Sequence, residues 1–270
     1  MRKIHVIGIG AGDPEQLTLQ AVGAMRGTDV FFVLDKGEVK SDLTRLRRDL
    51  LDTHLPPGSY RLVEARDPER DRGADGAAYP PAVGDWRSAR AGVCERLMAE
   101  ELGPDGCGAF LVWGDPALYD STIGVLEEVL ERGRVAFEYD VVPGISSVST
   151  LVARHRTGLN RVGRPVQITT GRRLAEGLPE GVDDVVVMLD AHQAFTRYAD
   201  QDIDIYWGAY LGTPDELLVS GPIGEAGPRI ERLRAEARER KGWIMDTYLL
   251  RRRPADRGPG AGDRGPGTAG

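Results

Sequence analysis

Two Gly-Asp-Pro triplets carry the first chemical signal in this chain. Gly12-Asp13-Pro14 follows the apolar run 4–7 and a Gly8-Ile9-Gly10 turn; Gly114-Asp115-Pro116 follows the apolar run 109–113. A third apolar run ends at Val142 and leads into Pro143-Gly144-Ile145-Ser146-Ser147. Glycine lets backbone approach a ligand closely. A carboxylate such as Asp115 accepts from a ribose hydroxyl or an amine. Parallel α/β sheets bind ligands beyond the carboxyl ends of their strands, so three such ends predict one shared crevice for a small molecule. The Gly8-Ile9-Gly10 loop alone reads equally as turn or site. Asp13 stands where a dinucleotide fingerprint has its third glycine, and no phosphate loop of the Gly-Lys-Ser/Thr kind is present. An NAD-dependent oxidoreductase is therefore an alternative that this loop supports poorly. Ser121 and Thr122, after the second triplet, are candidate caps for the helix that follows.

The cations come next. Arg66, Arg70 and Arg72 form one cluster, interleaved with Asp67, Glu69 and Asp71; Arg154, Arg156, Arg161 and Arg164 form a second; Arg172 and Arg173 a third. Planar guanidinium forks suit carboxylates. The net charge of −7 argues against a broad basic face for nucleic acid. The four histidines show no metal-ligand spacing, and no metal is expected. Cys94 and Cys107 read as reduced packing residues.

These residues must be positioned by a fold that 270 residues and 41% hydrophobic content can support as one large domain or two small ones. Residues 3–7 read as a buried strand. A helix follows with Leu17, Ala21, Ala24 and Met25 on one face, closed by Gly27, and then a strand over 30–34, which together make a βαβ unit. Residues 65–85 read as a long charged loop. A helix over 86–102, a strand over 109–113, a helix over 123–132 and an alternating strand over 135–141 complete the first half. The second half is mixed. Strand-like runs lie at 167–170, 185–189, 205–211, 217–220 and 243–250, with helical stretches near 191–200 and 229–240. The expected organisation is α/β, with one domain over 1–141, a second over 142–253, and a Gly/Pro-rich tail over 254–270 that cannot bury a core. No apolar run approaches the ~20 residues that span a bilayer. Met1 to Val6 read as strand rather than leader, so a cytoplasmic protein is expected.

Taken jointly, Val6-Ile7-Gly8-Ile9-Gly10-Ala11-Gly12-Asp13-Pro14, Leu17-Thr18, Trp113-Gly114-Asp115-Pro116 and Val142-Pro143-Gly144-Ile145-Ser146-Ser147 resemble the tetrapyrrole methylase family over about residues 3–250. The resemblance implies two α/β domains with S-adenosylmethionine held in the cleft between them, and a homodimer. By motif position it assigns cofactor contacts to Gly10, Pro14, Gly114, Asp115, Leu118, Ser146 and Ser147, with Met188, Leu189 and Ala209 from the second domain. Arg66-Asp67-Pro68-Glu69-Arg70-Asp71-Arg72, Ala89-Arg90-Ala91 after Trp86, the stretch from Gly114 to Thr122, and Tyr206-Trp207-Gly208-Ala209-Tyr210-Leu211-Gly212-Thr213-Pro214-Asp215-Glu216 resemble the branch that methylates C1 of precorrin-5 and releases acetate. Another member of the family, acting at a different precorrin carbon, is the nearest alternative. Methyl transfer from a sulfonium depends mainly on in-line positioning, which agrees with loops poor in histidine. The substrate would be a polycarboxylate ring, for which Arg66, Arg70, Arg72 and Arg154 are candidate ligands. Acetate release requires water to attack an acetyl carbonyl; Asp120 and Tyr119, beside the second triplet, are the candidate catalytic groups.

Overall fold

The computed structural model describes residues 1–35, 41–69 and 79–253. Its first sheet is built from β1 (Arg2–Gly8), β2 (Val30–Asp35), β3 (Arg61–Arg66), β4 (Cys107–Val112) and β5 (Phe137–Val142), in the order β3-β2-β4-β1-β5. All four pairings are parallel. Helices α1 (Leu19–Arg26) and α2 (Ser41–His54) cover one face; α3 (Tyr79–Glu101) and α4 (Thr122–Arg132) cover the other. Buried on both sides, β1 and β4 are near-continuous apolar runs. Thr18 caps α1 by accepting from the Ala21 N–H at 3.0 Å, and Gly133, at φ 67°, ends α4.

The second sheet follows α5 (Ser147–Arg154). It comprises β6 (Val166–Thr170), β7 (Asp184–Met188), β8 (Ile203–Ala209), β9 (Leu217–Pro222) and β10 (Asp246–Arg252), in the order β6-β7-β10-β8-β9. Only β6 and β7 run parallel. One face packs on α6 (Gly171–Leu174), a 3-10 turn (Ala194–Tyr198) and α7 (Ile223–Lys241), around Trp207, Phe195 and Tyr248. The other face joins Val186, Leu211 and Leu249 to Ala11 of the first triplet loop and to Val148 and Leu151 of α5. This shared apolar layer is where the two sheets meet.

Two expectations need correcting. Periodicity assigns no element to 36–64, yet α2 and β3 lie largely there; Leu50 and Leu51 are buried on α2. The segment read as a loop over 65–85 is shorter, because β3 reaches Arg66 and α3 begins at Tyr79, with two prolines in the first helical turn, where their missing N–H groups cost nothing.

Candidate active site

The loops after β1, β4 and β5 do converge, and they do so backbone against backbone. The Gly10 N–H donates to the Gly114 carbonyl at 3.3 Å, and the Gly114 N–H donates back at 2.7 Å. A Cβ on Gly8 would stand 2.5 Å from the Gly144 nitrogen, and one on Gly144 would overlap the Gly114 carbonyl oxygen. Glycine is required at both positions by close approach. Gly114 differs. It adopts φ 71°, and a Cβ there would meet nothing nearer than Ser146 Cα at 4.0 Å. Its outer face borders open space, as a residue touching a bound molecule requires. The mutual Gly10–Gly114 bonds also use the amides that a dinucleotide loop would turn toward pyrophosphate, which weighs against the NAD alternative.

Both triplet aspartates build the same turn. Asp13 Oδ1 accepts from the Glu15 N–H at 3.0 Å, and Asp115 Oδ1 accepts from the Ala117 N–H at 2.7 Å. Each carboxylate reaches over its proline to the N–H two residues on, an Asx turn. Asp120 repeats the device on the Thr122 N–H at 2.7 Å, at the head of α4. The capping expected of Ser121 or Thr122 thus falls to Asp120; Ser121 instead accepts from Arg90 at 2.8 Å. Ser146 caps α5 on the Ser149 N–H at 3.3 Å. Pro14 is exposed and opens a short 3-10 turn.

The second sheet supplies the facing wall. Leu118 and Met188 join the same apolar layer. Ser147 Oγ lies 3.2 Å from Thr247 Oγ1, and Thr247 is paired with Met188 and Gly208 in the sheet. Tyr119, in the left-handed region at φ 51°, donates across to the Ile168 carbonyl at 3.4 Å. Burial raises its phenol above the ordinary value, so at neutral pH Tyr119 is a donor and not a base. Leu189, also left-handed at φ 55°, is 64% exposed directly after β7. Ala209 is brought to the end of β8, but its side chain packs into the opposite core with Trp207 and Tyr210; only its backbone is left for a ligand.

The Leu189 turn is braced from beneath. Asp190 Oδ1 accepts from the His192 N–H at 3.1 Å, and its Oδ2 from the Ala194 N–H at 2.7 Å and the Tyr248 hydroxyl at 2.6 Å. Burial, reinforced by the Asp190 charge, pushes the Tyr248 phenol far up, fixing it as the donor. Arg234 donates to the Asp190 carbonyl and, at 2.9 Å, to Asp246, which also accepts from the Trp207 indole at 2.9 Å. Burial raises the Asp246 carboxyl against the opposing pull of Arg234. A Cβ on Gly171 would collide with the Asp190 carboxyl group. Sequence reasoning missed this brace, because its members lie up to 58 residues apart.

The candidate substrate arginines separate. Arg154 bridges Asp13 at 3.3 Å and Glu216 at 3.1 Å, and Glu216 also accepts from the Gly212 N–H at 2.7 Å. It is a clasp between the first triplet and the β8–β9 connection, with its fork already on two carboxylates, which argues against the substrate role expected of it. Arg66 is exposed and pairs with Glu69 at 3.1 Å. Arg70 and Arg72 lie outside the described residues.

Comparison with known proteins agrees with this geometry. The family described as Tetrapyrrole (Corrin/Porphyrin) Methylases matches residues 3–227. A precorrin-6A synthase [deacetylating] from Sinorhizobium sp. is 52% identical over 252 residues, covering 93% of this chain and 96% of that protein. The crystal structure of a cobalamin-synthesis-related protein (CobF) from Corynebacterium diphtheriae superposes with a TM-score of 0.79 at 39% identity, over 93% of this chain and 98% of that one. A uroporphyrin-III C-methyltransferase from Thermus thermophilus, solved with S-adenosylhomocysteine, shares the fold at a TM-score of 0.54 and 16% identity. By sequence and by fold, the chain belongs to the tetrapyrrole methylase family.

Proposed function

We propose that this chain is a deacetylating precorrin-6A synthase, which methylates C1 of precorrin-5 in cobalamin biosynthesis and releases the ring acetyl group as acetate. The observation that carries this reading is the 52% identity to such a synthase along nearly the full length of both chains, in a structure whose triplet loops meet backbone to backbone. The open face of Gly114, the second oxygen of Asp115 and the exposed Leu189 turn fit S-adenosylmethionine as the cofactor. We assign its contacts to Pro14, Gly114, Asp115, Leu118, Ser146, Ser147, Met188 and Leu189, with backbone only from Gly10 and Ala209. When bound, the sulfonium supplies an electrophilic methyl group.

The chain's own work is positioning. The stacked glycine loops fix one wall, and the braced Leu189 turn fixes the other. The shared apolar layer excludes water between them. Holding two reactants in line removes much of the entropic barrier to a bimolecular step. For deacetylation, we place Asp120 to take a proton from water as its oxygen attacks the acetyl carbonyl. The ring–acetyl bond then breaks and its electron pair stays with the ring. Tyr119, a donor, serves to orient. We further read the protein as a cytoplasmic homodimer; no helix among the described residues is long and apolar enough to cross a membrane.

Calorimetric titration with S-adenosylhomocysteine tests the cofactor reading: one-to-one binding is expected, weakened in Asp115→Ala. Product mass and acetate release test the reaction. Product that keeps its acetyl group would point to another ring position. Acetate release at the wild-type rate in Asp120→Asn would remove the role given to Asp120. Light scattering should give twice the 29.4 kDa chain mass.

A further inference from the structure

One arginine of the first sheet is not accounted for by folding alone. Arg47, on α2, donates from Nε to the Leu111 carbonyl at 3.1 Å and from Nη1 to the Leu43 carbonyl at 2.9 Å. Both acceptors are neutral. Among the described residues no carboxylate lies within ion-pair distance of it, and three of its five N–H groups have no acceptor. Other sheltered arginines do have one: Arg132 holds Glu128 at 2.8 Å, Arg234 holds Asp246 at 2.9 Å, and Arg251 holds Asp184 at 2.5 Å. A guanidinium with no counter-ion is costly to bury, and burial lowers the Arg47 pKa to about 10. It stays charged at neutral pH.

The location is informative. Leu111 is the penultimate residue of β4, three residues before the second triplet. Arg47 reaches that strand end from the α2 face of the sheet. From the α3 face comes Arg90, which donates to Ser121, lies 3.1 Å from Asp67 and stacks 5.1 Å from the Trp86 ring. Asp120 and Arg90 are the charged groups that act on Arg47, the first attracting and the second repelling. Folding alone gains nothing from drawing two like charges toward one strand end. Arg90 already has Asp67, and Asp120, which accepts from the Thr122 N–H, attracts Arg47 without an ion-pair contact, so among the described residues the Arg47 fork holds no carboxylate.

We propose that Arg47 is a substrate-carboxylate site: its guanidinium, oriented by the Leu111 and Leu43 carbonyls at the end of β4, takes a carboxylate of the tetrapyrrole ring, with Arg90 adding positive potential from the opposite face. The proposal rests on the methylase reading above. It assigns the role to a residue outside the charged 66–72 segment and outside the Arg154 clasp. The half-buried position of Arg47 suits a bidentate contact, since a planar fork in a low-dielectric setting binds a carboxylate far better than a solvated one does.

The test uses the full chain with S-adenosylhomocysteine bound and uroporphyrin I, an octacarboxylate tetrapyrrole, as the probe, read by porphyrin fluorescence. Arg47→Met is expected to weaken uroporphyrin binding by about tenfold or more, as loss of a charged hydrogen bond does, with S-adenosylhomocysteine affinity within about twofold of wild type. Arg47→Lys, which keeps the charge and loses the fork, should fall between. Arg48→Ala, one residue along the helix and paired with Glu64 on the surface, should bind as wild type. Wild-type uroporphyrin affinity in Arg47→Met overturns the proposal. If Arg47→Met does not fold, wild-type affinity in folded Arg47→Lys overturns it instead. A wild-type protein that binds S-adenosylhomocysteine but no uroporphyrin overturns the carboxylate site and leaves the methylase reading standing; one that binds neither overturns both.

Discussion

The two sides of the proposed cofactor site reach the same end by different physics. On the first-sheet side, Gly8 and Gly144 let three loops stack so closely that there is no room for a side chain at either, and Gly10 and Gly114 join the loops through their backbones. On the second-sheet side, Asp190, Tyr248, Arg234, Asp246 and Trp207 hold the Leu189 turn through a buried network of charges and hydrogen bonds. One wall is rigid because its atoms exclude any alternative. The other is rigid because every polar group in it has a partner that no alternative conformation would supply. The first should fail sterically and locally, the second electrostatically and through its whole sheet.

The largest effect is expected in the second wall. Arg234→Met leaves Asp246 as an unpaired buried carboxylate and should cost about 3–5 kcal/mol in denaturant unfolding. Adding Asp246→Leu should recover most of that loss, because replacing both members of a buried pair by apolar groups is often close to neutral. If the double variant is no more stable than the single one, the network is not held by the Arg234–Asp246 charge pair. In the first wall, Gly144→Ala should cost about 1–3 kcal/mol through overpacking, with no rescuing second substitution, because its Cβ meets backbone. Gly114→Ala should cost about 1 kcal/mol for its left-handed φ while weakening S-adenosylhomocysteine binding more than its stability loss explains, since the new Cβ fills the open face. Equal effects of these two alanines on binding would erase the distinction drawn between a packed and a ligand-facing glycine. Tyr248→Phe, which removes one of three donors to the Asp190 carboxylate, should cost about 1 kcal/mol and leave cofactor binding nearly intact.

The same contrast explains what could be read from the sequence. The first wall was legible because close backbone approach demands glycine, and the Asx turns demand aspartate two residues before the N–H they bind. Those demands are local and leave motifs. Even there the chemistry shifted: Asp13 and Asp115 first of all shape turns, and Asp120 takes the capping expected of Ser121 or Thr122. The second wall left no motif. Asp190 and Tyr248 are 58 residues apart, and either alone reads as an ordinary strand or turn residue. Arg47 was hidden for a related reason: its helix is amphipathic but charge-rich, and what sets Arg47 apart from Arg48 is that no carboxylate among the described residues lies within ion-pair distance of it. Arg154 runs the other way. Its sequence cluster pointed to a substrate, while the fold brings Asp13 and Glu216 to it.

The smallest predicted effect asks whether the first wall is as closed underneath as it is at the crevice. Cys94, on α3 near Arg90 and Asp67, is buried, and that burial pushes its thiol up to about 12, with Arg90 pulling slightly the other way. A raised thiol pKa means the native chain keeps a proton that the unfolded chain releases above about pH 9, so this group makes stability fall as pH rises from about 9 toward 12. At pH 8 the native thiolate population is negligible, and nucleophilic attack needs the thiolate. Iodoacetamide should therefore leave Cys94 unmodified in the native protein at pH 8 and label it once guanidinium unfolds the chain. Cys107, half-buried and raised chiefly by burial, should label detectably first. Native labelling of Cys94 at a rate that tracks global unfolding would agree with a locked wall. Labelling much faster than unfolding would mean that α3 opens on its own. In that case the rigidity of the first wall would be confined to its glycine loops, and the potential that Arg90 lends to Arg47 would belong to a mobile support.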